Sequence, residues 1–389
     1  MEYITEYCKT GNTINLRKKI SPEIKNTILK TIPHTLKKYK DENNIFKNRA
    51  LEMLDILSSP IFEENKKCIE KIKGLEWTGN SCYLDSVLIC IFAIQNDFID
   101  EYILNSKLKK RYGTLLDCFE TKKLDDDKKS KIDLENRKNI QNELKIIYKN
   151  IKNGKKQDCS ELRKELKKCK SAQLFSGSRM AESGEFLTYI FSIFDMNVAT
   201  KKTVTYGTNN IKDINPDNKN LIKTSEIMDT KASVIHFIPS DIIRLLDDKY
   251  YEIRSFLTIK DDSGELDIDN QYKDDNDNKY KRRISYNNLV DTPYLVFRID
   301  RLWNRKFLKT KIIPSQIITL QNLKQFALSS VIVFNCLHYT CYFRCGNKWY
   351  YYNDIDNDIV LIGNYVSLLK TKSYPNVITN GTVYFYTKM

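Results

Sequence analysis

The segment GLEWTGNSCYLDSVLICIFAIQ, residues 74–95, constrains the fold of this chain more than any other stretch. Gly74, Gly79 and Asn80 suit a tight loop, and an apolar run begins at Cys82. Leu84, Val87, Leu88 and Ile91 recur at helical spacing, so the spacing predicts a loop feeding into a helix that buries that side. A cysteine in the first turn of a helix stands at the positive end of the macrodipole, which favours its thiolate. The backbone N–H groups of that turn point at whatever approaches the sulfur, as an oxyanion does. Cys82 is therefore a candidate nucleophile. On the residues alone, a small buried cysteine that begins a helix is the commoner reading.

The rest of the chain bounds the context. At 389 residues it exceeds the usual size of a single core, so one large domain with an appendage is expected. No apolar run reaches the roughly eighteen residues of a membrane span, so no transmembrane helix is indicated. The start, MEYITEYCKTGN, carries no basic-then-apolar signal peptide. An intracellular, cytoplasmic protein with mostly reduced thiols among its ten cysteines is the expectation. The net charge of +14 raises nucleic-acid binding as a possibility. The cations are mostly Lys, spread along the chain among Asn, Ile and Asp, and no nucleic-acid-binding signature accompanies them. No specific nucleic-acid partner is expected. That composition is what AT-rich coding DNA produces, as in large DNA viruses, for which the location would be the host cytoplasm.

Residues 1–70 read as a helical N-terminal extension ahead of a main domain at 71–389. Ser21-Pro22 starts one helix with Ile24, Ile28 and Ile32 on a face, and residues 44–58 form a second with Phe46, Ala50, Met53, Leu54 and Leu57. Residues 120–170 are charged, with a sparse stripe of Ile140, Leu144, Ile147 and Ile151, which predicts an exposed helical insert. Residues 261–277 read as a mobile acidic loop. The β-branched and aromatic stretch 293–345 predicts sheet. Helices first and mostly antiparallel sheet later give an α+β fold class.

Only three histidines are available as a base. His34 lies in a Lys-rich stretch and His236 in an apolar strand-like run. His338 precedes a hairpin turning at Gly346-Asn347. Counting outward pairs Cys345 with Lys348, Arg344 with Trp349, Tyr342 with Tyr351 and Thr340 with Asn353. His338 then stands diagonal to Asn353, about 7–8 Å away at the backbone and within side-chain reach. Asp354 falls on the opposite face, although a bulge would exchange the two.

Gly74, Leu75, Gly79, Asn80, Ser81, Cys82, Tyr83, Leu84, Asp85 and Ser86 together resemble the cysteine box of the ubiquitin-specific proteases. The form NSCYLDSVLICIFA is particularly similar to the cylindromatosis-type (CYLD-like) branch. His338, Tyr339, Trp349 and Asn353 match the family's histidine box, and Glu182, Glu185, Phe186 and Leu187 its weaker Glu-Phe-Leu helix. The resemblance implies a papain-like cysteine protease fold with a helical thumb and an antiparallel palm. It implies a deubiquitinase with Cys82 as nucleophile, His338 as base and Asn353 as orienting partner. Asn80, Ser81 and Asp354 would support the site, and Glu182, Glu185 and Tyr339 would meet substrate. Ubiquitin or polyubiquitinated protein is the implied partner, with no cofactor. Trp77 stands where the family usually carries an Asn that helps hold the oxyanion, and its indole N–H is also a donor. Rival readings are a non-catalytic ubiquitin-binding module, and a protease for another ubiquitin-like modifier or a viral polyprotein. The two Cys-x-x-Cys zinc pairs of many members are absent from the sequence, so no metal is expected.

Overall fold

A helix that is apolar on every side needs cover on every side, and the segment after the Gly79-Asn80 turn has that character. The computed structural model describes residues 72–93, 99–113, 124–207, 221–233, 235–238, 240–246, 250–258, 272–273, 279–291, 294–320, 325–356 and 358–389. These belong to one unit, Glu64–Met389. The two helices expected in 1–70, with His34, lie outside the described residues. So does the 261–277 loop except Tyr272–Lys273, which form a short strand.

Helix α1, Cys82–Phe92, is buried along its whole length, including Asp85 and Ser86. The expectation of a single buried face is thus corrected: α1 is a central helix.

Helix α2, Asp126–Lys152, begins with Asp125 accepting from the Lys128 N–H at 2.8 Å and carries Asp126 and Asp127 in its first turn. Lys149 and Lys152 occupy its last turn, so both ends complement the macrodipole. Its stripe of Ile140, Leu144, Ile147 and Ile151 is buried in the same apolar cluster as α1. The helix is solvated on most of its surface, as expected, but its apolar stripe packs on the core rather than standing apart from it. Charge counting misses this because the stripe continues as ions. Asp133 and Arg137 are interior, paired at 2.9 Å, and Arg111 adds a second cation to Asp133 at 2.9 Å. Paired charges of this kind tolerate burial that single ones do not.

Two shorter helices follow, α3 (Ser160–Leu166) and α4 (Ser183–Ile193). The principal sheet has eight strands: β1 (Ile235–Ile238), β2 (Tyr294–Ile299), β3 (Ile317–Thr319), β4 (Gln325–Asn335), β5 (His338–Cys345), β6 (Lys348–Asn353), β7 (Asp358–Gly363) and β8 (Gly381–Lys388). Their order is β7-β6-β5-β4-β8-β2-β1, with β3 against β4. Only β1 and β2 run parallel in it. Asn197–Gly207, Leu221–Ser233 and Lys279–Asp291 form a separate antiparallel sheet with the Tyr272–Lys273 strand.

The period of two along β5 divides the interior. Tyr339, Cys341 and Phe343 join the helices α1, α2 and α4 on one face. Tyr342 faces a second cluster with Leu328, Val331, Trp349 and Tyr386. The palm is thus covered on both faces, and α1 packs on the strand that begins with His338.

Candidate active site

The nucleophile loop and the histidine hairpin meet through a direct bond. The Tyr352 hydroxyl of β6 accepts from the Leu75 N–H at 3.0 Å and donates to the Leu75 carbonyl at 2.7 Å. Gly79 (φ +47°) and Asn80 (φ +59°) both take the left-handed conformation, which suits Gly and is tolerated by Asn. The Asn80 side chain donates to the Ser178 carbonyl at 2.8 Å, so it anchors the turn. Ser81 precedes α1, but its hydroxyl does not cap the helix. It accepts from the Thr78 N–H at 2.9 Å and donates to Asp85.

His338 is the first residue of β5, after a two-residue turn in which Cys336 (φ +50°) and Leu337 (φ +66°) are both left-handed. The hairpin register is as the sequence predicts, with Cys345 on Lys348, Arg344 on Trp349 and Tyr342 on Tyr351. His338 Nε2 lies 2.8 Å from Asn353 Oδ1 and 3.2 Å from Asp354 Oδ1. The opposite-face expectation for Asp354 is corrected. Strand β6 ends at Asn353 and the chain turns there, so alternation no longer governs the next side chain. Asn353 is itself fixed, donating to Asp356 at 2.8 Å.

Nε2 is taken up by these two partners, so Nδ1 is the ring nitrogen left for the hydrogen bond between His338 and Cys82. Burial alone would lower the imidazole pKa. Hydrogen bonds to Asp354, Cys82 and Asn353, with the Asp354 charge, outweigh burial and push it up to about 10. His338 is thus an imidazolium at neutral pH, beside a thiol at the start of a helix.

Beneath this pair lies a buried carboxyl cluster. Asp85 of α1 is wholly buried and takes hydrogen bonds from Ser81 and, at 3.1 Å, from the Cys159 thiol. Asp354 lies close enough for its charge to act on Asp85. Burial first, and then the Asp354 charge, hold the Asp85 pKa well above the usual carboxylate range. The charged form of Asp85 is thus disfavoured where the two buried carboxyls adjoin.

The cleft above measures about 720 Å³ and is lined by Cys82, His338, Asp354, Asn80, Trp77, Glu76, Lys156, Leu337 and Ile355. This arrangement suits acyl transfer: a thiol with a base, a base with an orienting partner, and free helix-start N–H groups. The ubiquitin carboxyl-terminal hydrolase profile matches residues 73–386, well over half of the chain. The chain belongs to the ubiquitin carboxyl-terminal hydrolase family. It is a cysteine-type ubiquitin carboxyl-terminal hydrolase with the papain-like deubiquitinase fold. No curated protein matches it. Among solved structures, it is similar to the SAGA DUB module of Ubp8, Sgf11, Sus1 and Sgf73 bound to monoubiquitin. That match has 15% identity and a TM-score of 0.49, and covers 89% of this chain and 76% of that one.

Within this hydrolase the remaining expected residues take varied places. Trp77 is half-exposed on the cleft wall. Tyr339 is a core residue, its ring 4.7 Å from that of Phe334 and its hydroxyl bonded to the Ser183 backbone. Glu182 is committed to Arg298, whereas Glu185 lies 3.7 Å from that guanidinium and is exposed. Asp85, Cys159, Arg163 and Tyr352 were not expected as site residues. Only Asp85 left a signal, as the single acid inside an apolar helix.

Proposed function

We propose that this hydrolase is an active deubiquitinase that cleaves the peptide or isopeptide bond after the C-terminal glycine of ubiquitin, using Cys82, His338 and Asn353. The observation that carries this reading is the two-sided hold on His338. Asn353 and Asp354 engage Nε2, and the imidazole interacts with Cys82 across the cleft that both line. The Cys82 thiolate attacks the glycine carbonyl, forming the carbon–sulfur bond and placing charge on oxygen. The intermediate collapses as His338 gives its proton to the departing lysine amine. His338 then takes a proton from water, which attacks the thioester and releases ubiquitin with the carbon–sulfur bond broken. In this reading exposed Glu185 meets the basic tail of ubiquitin. The form NSCYLDSVLICIFA, residues 80–93, is what favours placement within the CYLD-like branch.

A second reading, ubiquitin binding without catalysis, is favoured by one feature, the bulky Trp77 on the cleft wall. Ubiquitin bearing a C-terminal thiol-reactive warhead separates the two. The expected result is an adduct with the native protein that is lost in Cys82→Ala and slowed in His338→Ala. Binding without an adduct would sink the enzymatic reading, and a preference for another modifier's probe would reassign the substrate.

A further inference from the structure

The turn before the nucleophile is gripped from behind by a cation of another helix. Arg163 of α3 is 9% exposed and sends Nη1 to two successive carbonyls, Thr78 at 2.8 Å and Gly79 at 3.1 Å. A planar trans peptide holds its C=O and N–H on opposite sides. The N–H groups of Gly79 and Asn80 belong to those same two peptides, so both face away from the guanidinium. The left-handed conformations of Gly79 and Asn80 curl the turn. Successive N–H groups in such a curl make an anion-binding concavity. Neither N–H has an acceptor among the described residues. The Cys82 N–H, at the first helical position, also has no intrahelical partner. Asn80 and Cys82 line the cleft together with His338.

We infer that Arg163 is a positioning residue for catalysis: by fixing the Thr78 and Gly79 carbonyls it aims the Gly79 and Asn80 N–H groups at the oxyanion formed when Cys82 attacks. This inference rests on the hydrolase reading above and adds two backbone donors to the Cys82 N–H. As the sulfur–carbon bond forms, the carbonyl electron pair moves to oxygen, where these donors receive it. On collapse the pair returns, the carbon–nitrogen bond breaks, and the amine leaves with the proton from His338. Arg163 exchanges no proton in either step. Its charge polarises both peptides in the sense that strengthens their N–H groups as donors.

The test compares the full chain with its Arg163→Met and Arg163→Lys variants by four readouts. These are turnover of a ubiquitin C-terminal fluorogenic amide, affinity for ubiquitin C-terminal aldehyde, affinity for free ubiquitin, and the iodoacetamide alkylation rate read at the Cys82 peptide. The aldehyde adduct places an oxygen where the oxyanion would sit; alkylation needs the thiolate but no oxyanion. Deleting an oxyanion donor outright costs about 10²–10³ in kcat, and losing its aim should cost less, on the order of 10- to 100-fold. Arg163→Met is expected to lose that factor in both kcat and aldehyde affinity, with ubiquitin affinity and alkylation nearly unchanged and Arg163→Lys intermediate. Gly79→Ala, strained at φ +47° but with only ordinary contact at 3.4 Å, should give the same signature by a route that leaves Arg163 in place. Unchanged kcat in Arg163→Met, or a loss matched by slower alkylation or weaker ubiquitin binding, would overturn the inference. A native chain that alkylates at Cys82 yet leaves the amide intact would overturn the hydrolase reading and this inference with it.

Discussion

His338 and Asp354 form an ion pair at 3.2 Å in which the carboxylate is almost wholly buried and the imidazole remains part-exposed. The carboxylate that holds the imidazole is therefore shielded from solvent, while the ring itself reaches the cleft.

The first consequence concerns pH. The folded pKa of His338, about 10, lies above its ordinary value of 6.5. Its contribution to stability is complete below about 6.5 and is lost as pH rises through about 10. In the proposed mechanism, the imidazolium proton given to the leaving amine is lost over the same range. A pH–rate profile should show an alkaline limb of kcat/KM near pH 10. In Asp354→Asn that limb should move down toward the ordinary histidine range, with a flatter dependence of thermal stability on pH between 6.5 and 10. A limb that stays in place would refute the ion pair as its cause.

Asn353 and Asp354 share one nitrogen, so their losses should not add. Asn353→Ala and Asp354→Ala are each expected to cost on the order of ten- to a hundred-fold in kcat, within the range of general acid–base effects. The double variant should fall to the level of His338→Ala. Steady-state turnover of all four proteins checks this, and a double variant no worse than either single one would refute it.

Much of this pairing is legible before any coordinates. A turn at Gly346-Asn347 and strict alternation suffice to bring Asn353 to His338, because a hairpin register is a local property. Asp354 escapes that logic because it lies just past the strand, where the turn aims the side chain. The Arg163 grip is invisible because it joins positions 84 and 85 residues apart, and no local spacing encodes it. Helix α2 is legible as a helix but not as interior, since its buried Asp133 and Arg137 look like surface charge until Arg111 is placed beside them.

Burial disfavours the charged form of Asp85, so an amide should replace it well. Its folded pKa is raised, so its contribution to stability is greatest at low pH and falls as pH rises above the unfolded value. Asp85→Asn keeps an acceptor for the Ser81 hydroxyl and removes the cost of ionisation. It should be more stable than the native chain at pH 8, with the advantage shrinking toward pH 4, whereas Asp85→Leu should lose both stability and turnover. Thermal melts across pH would decide, and an Asp85→Asn protein less stable at pH 8 would contradict the assignment.

Leu144 lies on the buried stripe of α2, in the core shared with α1. Leu144→Ala should cost about 2–5 kcal/mol in chemical denaturation, the range for a large-to-small change in a packed core. Removal of residues 126–152 should abolish folding. A folded, active deletion would restore the view of this segment as a detachable insert.

The Cys336-Leu337 turn holds two side-chain-bearing residues at positive φ, a conformation that costs of order 1–3 kcal/mol each. The double change Cys336→Asn and Leu337→Gly supplies the residues this turn geometry prefers. It should raise the melting temperature by a few degrees, and a lowered one would show that the Leu337 side chain offsets the strain.

Strand β8 lies between β4 and β2, so neither has its inner neighbour until residues 381–388 are in place. The Leu75–Tyr352 bond that joins the two halves of the site spans 277 positions. A ribosome making this chain therefore emits the reactive thiol long before anything exists to activate it. The thiol meets the imidazole only once the strands that carry His338 and Asn353 have paired beside it, so assembly of the site is tied to closure of the sheet.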